Sequence, residues 1–146
     1  MSNEKIKSLM RDFIKALAER DVEKGLSFFA EDATYVTPHG TFKGKGELKR
    51  YLTWMAQSTP DLTVTDAGIG IMVHGNNAVY EHTISGTFEG MKWEVLAICV
   101  YEFSGDKIQN IRTVYDRLLL AKQAATGWLA TKAVNSIIDA MEKGLR

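Results

Sequence analysis

Residues 93–103 read Trp-Glu-Val-Leu-Ala-Ile-Cys-Val-Tyr-Glu-Phe, and this stretch decides the fold. Apolar side chains occupy most positions of both parities, the pattern of a central strand covered on both faces. Turn signals frame it: Glu89-Gly90 before, Ser104-Gly105-Asp106-Lys107 after, and His74-Gly75-Asn76-Asn77 one strand earlier. The β-rich runs between those turns predict a four-strand meander over about 62–73, 78–88, 92–103 and 108–115.

Upstream the period changes. Ile6, Leu9, Met10, Phe13, Ile14 and Leu17 fall at helical spacing, with Ser2 or Asn3 placed to cap. Asp21 is expected to cap a short second helix with Val22, Leu26 and Phe29 on one face. Ala33–Thr37 reads as a first strand ended by Pro38, and the Gly- and Lys-rich segment 38–46 as a loop. A third helix then buries Leu48, Tyr51, Leu52 and Met55, and Pro60 closes that region. Downstream, Ala130, Val134, Ile137, Ile138, Met141 and Leu145 recur at three- and four-residue spacing, with Gly127 dividing the tail into two helices. Helices, then a meander, then a helical tail give an α+β domain: one unit over 1–146, core to about 117 and tail from about 118.

Composition narrows the function. The 146 residues are 45% hydrophobic and 25% charged, values that suit one globular domain and not a disordered chain. Eighteen basic residues balance eighteen acidic ones with the signs interleaved. The nearest basic cluster, Lys43, Lys45, Lys49 and Arg50, reads as a solvated rim, so no nucleic-acid partner is expected. No run reaches the roughly 18 apolar residues of a membrane span, and none behind Met1 resembles a leader, so no membrane partner is expected. Cys99 is the single cysteine, which excludes an internal disulfide and suits a cytoplasmic location. Three scattered histidines and that cysteine lack metal-ligand spacing. Gly44-Lys45-Gly46 lacks the flanking residues of a nucleotide-binding loop, and no Gly-x-Ser-x-Gly elbow occurs. No cofactor is expected.

The stretch from Phe13 to Pro38, FIKALAERDVEKGLSFFAEDATYVTP, resembles the opening of the nuclear-transport-factor-2-like superfamily. That superfamily includes ketosteroid isomerase, limonene epoxide hydrolase and the SnoaL-like polyketide cyclases. Residues 105–123, GDKIQNIRTVYDRLLLAKQ, resemble the end of a SnoaL-like domain, so the likeness spans about 6–123. It implies a curved, mostly antiparallel sheet wrapped by N-terminal helices into a cone around a pocket. It transfers little chemistry, since one fold hosts many functions. Where the isomerase has its base, its oxyanion tyrosine and its protonated acid, this chain has Thr37, Phe13 and Cys99. Where the epoxide hydrolase has an arginine and two aspartates, it has His82, Ile84 and Thr113. The acid/base aspartate of a SnoaL-like cyclase is matched most nearly by Asp116. Strand parity puts Asp116 at the rim, where capping the tail helix is the competing role.

Strand alternation and the resemblance together assign a lining. Tyr35 and Thr37 come from the first strand, with His39 near the mouth. Tyr80, His82 and Ile84 come from the next, then Trp93, Val95, Ala97, Cys99 and Tyr101, and finally Ile111, Thr113 and Tyr115. Phe13, Leu17, Trp54 and Met55 close the other side. An aromatic lining with a few hydroxyls and no carboxylate suits a small apolar or aromatic ligand. His82 admits two readings. It is an acid/base residue, with Tyr35 or Tyr80 donating to a developing enolate oxygen, or a core histidine bonded to Tyr35 or Thr37. The chain is thus a small-molecule-binding protein, or else a cofactor-independent isomerase or cyclase on a hydrophobic carbonyl compound. On the opposite face Leu96, Ile98 and Val100 form an apolar row, and relatives that pack such sheets together imply a homodimer.

Overall fold

The computed structural model describes residues 1–145. Helix α1 (Asn3–Ala18) starts where the Ser2 hydroxyl accepts from the Lys5 amide at 3.3 Å, so Ser2 is the cap. Its stripe buries Ile6, Met10, Phe13 and Ala16. Asp21 caps α2 (Val22–Ser27) through the Lys24 amide at 3.0 Å. The chain then enters β1 (Phe29–Thr37) earlier than expected. Phe29 therefore belongs to the strand and not to a helical face with Val22 and Leu26; buried at 1% exposure, it continues the core.

The expected loop at 38–46 is a second correction. Residues Gly40–Lys43 form β2, an edge strand paired antiparallel with β1 from Thr37↔Gly40 to Thr34↔Lys43. Four residues with one large apolar side chain give no alternation to read. Phe42 provides the anchor, stacking on Tyr51 at 4.4 Å. Helix α3 (Gly44–Ser58) follows, then β3 (Thr63–His74), β4 (Asn77–Phe88), β5 (Met91–Ser104) and β6 (Lys107–Tyr115), close to the expected meander. The tail forms α4 (Arg117–Ala124) and α5 (Gly127–Met141).

The six strands run in the order β2-β1-β6-β5-β4-β3, antiparallel throughout except for the parallel β1–β6 pair. The sheet is curved and unclosed, with α1 and α3 packed against it. Parity along β5 is strict from 93 to 99: Trp93, Val95, Ala97 and Cys99 are buried, while Glu94, Leu96 and Ile98 are exposed. At one end the interior is filled. The Phe13 ring meets the edges or faces of Phe28, Phe29 and Tyr101 at centroid distances of 6.0, 5.3 and 6.4 Å. At the other end helix α4 rests on β5, and α5 makes its main contacts with α4.

Strand β3 carries the largest irregularity. Asp66 pairs with His82 and Ile71 with Tyr80, so Ala67, Gly68, Ile69 and Gly70 bulge opposite Glu81 alone. Gly68 and Gly70 have φ of +47° and +58°. The Glu81 carboxylate occupies the space a Cβ on Gly68 would need and accepts from the Ile69 amide at 3.0 Å. The bulge is thus fitted to glycine at this position.

Candidate functional site

Between the sheet and the helices lies a cavity of about 620 Å³. Tyr35, Tyr80, His82, Cys99, Tyr101 and Thr113 supply its sheet wall. Trp93 and Tyr115 lie farther along that wall; Tyr51, Trp54 and Met55 come from α3, with Ile14 and Leu17 from α1. The tail completes it through Leu120 and Ala121 of α4 and Ala130 and Val134 of α5. No Asp, Glu, Lys or Arg lines it among the described residues.

Thirteen residues singled out from sequence therefore meet around this cavity: Tyr35, Tyr80, His82, Ile84, Trp93, Cys99, Tyr101, Thr113 and Tyr115 on the sheet wall, with Leu17, Trp54 and Met55 on the facing helices and His39 at the mouth. Six lie elsewhere: Val95, Ala97 and Ile111 are buried in the sheet without lining the cavity, and the other three have structural places of their own. Phe13 has 0% exposure and sits in the packed end. Thr37 holds the β1–β2 turn, its hydroxyl accepting from the His39 amide at 3.0 Å and donating to the Gly40 carbonyl at 3.3 Å. Asp116 caps α4, accepting from the Leu118 and Leu119 amides at 2.9 Å each.

His82 is buried, and its Nδ1 lies 3.2 Å from the Tyr80 carbonyl oxygen. A carbonyl only accepts, so in the neutral ring Nδ1 carries the proton and Nε2 keeps its lone pair. The partner is thus the Tyr80 backbone and not Tyr35 or Thr37. Burial pulls the imidazole below its ordinary 6.5, against the Tyr80 hydrogen bond and the Asp66 charge, which raise it. The ring stacks on Tyr80 at 4.2 Å.

Tyr80 itself is engaged. Its hydroxyl donates to Asp66 Oδ1 at 2.7 Å, and Asp66 also takes a two-pronged pair from Arg11 at 2.6 and 2.5 Å. The Arg11 and Tyr80 hydrogen bonds hold the Asp66 carboxyl down at about 2. Burial, then the bond to Asp66, pushes Tyr80 up to about 12. Tyr80 thus presents its ring to the cavity while its proton points to Asp66. Arg11 and Asp66 were not found from sequence. They lie 55 residues apart, and the only signal is one carboxylate inside the β-rich run of β3.

Deeper in the wall, Cys99 Sγ lies 3.0 Å from Thr113 Oγ1, which donates to Tyr35 Oη at 3.2 Å. Burial drives the Cys99 thiol up to about 11 and raises Tyr35 and Tyr101 well above their ordinary range, so these groups stay neutral. At the mouth Tyr115 Oη and His39 Nε2 are 2.6 Å apart, and the His39 ring meets Trp54 at 4.8 Å. Burial, then the Arg117 charge, lowers the His39 pKa, so the neutral imidazole accepts from Tyr115. Among the described residues no cluster of His, Cys, Asp and Glu is placed to hold a metal ion, and no helix is long and apolar enough to cross a membrane.

Comparison with known proteins places this geometry. The family model described as SnoaL-like domain matches residues 10–111. An NTF2-like protein of unknown function from Burkholderia pseudomallei K96243 is similar with a TM-score of 0.75 at 16% identity, over 86% of this chain and 100% of that one. A protein from Catenulispora acidiphila with a ketosteroid isomerase-like fold, in complex with trimethylamine, gives 0.72 at 18% identity, over 80% and 91%. TerC, co-crystallised with polyporic acid, gives 0.70 at 16% identity, over 80% and 95%. No curated protein matches the chain at a significant level.

Proposed function

We propose, on the premise that the chain belongs to the SnoaL-like domain family, that it is a small-molecule-binding protein whose cavity holds a flat, apolar ligand. One observation carries the reading: a cavity of about 620 Å³ walled by aromatic rings and, among the described residues, without a charged side chain. That volume lies in the range of small-molecule sites, and such walls favour uncharged rings. The test is a titration with N-phenyl-1-naphthylamine, read by its fluorescence. Saturable one-to-one binding, lost in the cavity-filling variant Ala121→Trp, is expected. No saturable binding to the unaltered protein overturns the proposal.

A second reading rests on the bare Nε2 of His82 in the same wall. As a base it takes a proton from carbon beside a ligand carbonyl, while Tyr35 donates to the oxygen where charge develops. Because burial lowers its pKa, His82 stays a competent base above and somewhat below pH 6.5. Deuterium exchange at C2 of 1-tetralone in heavy water tests this, with His82→Gln as the variant. An exchange rate untouched by that change removes His82 from any proton transfer.

We also propose a homodimer. Leu96, Ile98 and Val114 on the outer sheet face are 52%, 39% and 62% exposed, an apolar row that a second copy would cover. Light scattering at micromolar concentration should give twice the chain mass, and the monomer mass would refute it. The lone buried thiol of Cys99 supports a cytoplasmic location.

A further inference from the structure

The buried polar atoms of the cavity wall form a line across four adjacent strands. It runs from His82 on β4 to Cys99 on β5, Thr113 on β6 and Tyr35 on β1, with successive separations of 4.0, 3.0 and 3.2 Å. The register builds it: Cys99 and Thr113 are direct cross-strand partners, and Tyr35 pairs with Ile111, two residues before Thr113. All four residues are buried.

Each hydroxyl and the thiol has one proton to give, so the line has a direction. Thr113 donates to Tyr35 Oη. Thr113 Oγ1 can then only accept from Cys99, and the 3.0 Å contact is where the thiol proton goes. The 4.0 Å approach of Sγ to His82 Nε2 sits at the outer limit for a sulfur hydrogen bond and leaves that nitrogen free. Directed this way, the line ends at Tyr35 with a hydroxyl that already accepts and whose own proton is unclaimed. Hydrogen bonds in such a chain polarise one another, so Tyr35 becomes the better donor.

We infer that Cys99 and Thr113 are positioning residues that fix Tyr35 as a hydrogen-bond donor, so that the cavity selects uncharged ligands carrying an acceptor on one edge. This rests on the ligand-binding reading and adds to it a polarity and the residues that set it. Tyr80 cannot take the same role, since its proton is held by Asp66 at 2.7 Å. An anionic ligand is disfavoured because no cation lines the wall among the described residues.

The test compares tetralin with 1-tetralone, which differ by one carbonyl oxygen, by calorimetric titration of the full-length protein. The unaltered protein should prefer the ketone by about fivefold, the value of one net hydrogen bond. Tyr35→Phe should abolish that preference, with circular dichroism and thermal unfolding showing that the variant is folded. Thr113→Val should lower the preference by about twofold, and Thr113→Ser should restore it. A preference that rises in Thr113→Val means that the line runs the other way, and overturns the inference. Equal binding of the two probes to the unaltered protein overturns it too, while leaving the cavity-binding reading standing. Failure of both probes to bind sinks the two together.

Discussion

Helices α1 and α5 have 16 and 15 residues and both carry an apolar stripe, yet they end in opposite situations. Helix α1 seals Ile6, Met10, Phe13 and Ala16 at 0% exposure, whereas α5 leaves Leu129, Ile137 and Met141 at 73%, 53% and 73%. The stripe is a demand for a partner, and only the rest of the molecule decides whether it is met. Helix α1 meets the aromatic end of the interior and anchors the fold. Helix α5 lays Ala130 and Val134 along the cavity, while Trp128, Leu129, Ile137 and Met141 remain outside.

The sharpest way to break this contrast is to truncate both stripes. Phe13→Ala should destabilise the protein by about 3–5 kcal/mol, since it leaves a hole among Phe28, Phe29 and Tyr101. Ile137→Ala should stay within about 0.5 kcal/mol, as for surface positions. Urea unfolding compares them, and similar losses would mean that α5 is as integral as α1. Next in size comes the strand against which α1 rests. Gly68→Ala should cost about 1–3 kcal/mol, because its φ of +47° strains an L-residue. Asp116→Ala removes the cap of α4 and should cost about 1 kcal/mol. Hydrogen exchange should then accelerate in α4 and α5 and stay unchanged in α1; a uniform acceleration would contradict their independence.

The smallest effect concerns the ion pair that ties α1 to β3. The Asp66 carboxyl is lowered from 3.8 to about 2 on folding. Its contribution is therefore complete above pH 3.8 and fades as pH falls through about 2. With the side chains of Arg11 and Asp66 48% and 50% exposed, solvent screening keeps it below about 1 kcal/mol. Asp66→Asn should flatten that part of the acid limb of stability against pH. An unchanged limb would assign it to other carboxylates.

Features that repeat with a local period could be read from the sequence. The alternation Trp93, Val95, Ala97, Cys99 identified the buried face of β5, and the spacing of Ile6, Met10 and Phe13 identified that of α1. On the strands, the wall residues Tyr35, Tyr80, His82, Ile84, Trp93, Cys99, Tyr101, Thr113 and Tyr115 followed from the same parity. What escaped was set by distance or by a single residue. Strand β2 is too short to alternate, and its one anchor is Phe42 on Tyr51. Phe29 continues the spacing of α2, but its burial is decided by β1. Arg11 and Asp66 are each ordinary surface charges until the fold sets them side by side against the Tyr80 hydroxyl, and no spacing announces a contact made by tertiary packing.

Strand β3 stands at the open border of the sheet, 12 residues long, with Ile69 and Met72 60% and 53% exposed. A regular strand of that length would offer an unbroken row of amides and carbonyls to another chain, a template for fibrous aggregation. The Ala67–Gly70 bulge divides the row in two, and Glu81 occupies the Ile69 amide with a negative charge. The same deformation that fits Glu81 over Gly68 therefore protects the protein at high concentration. Straightening it would show first as turbidity in concentrated solution.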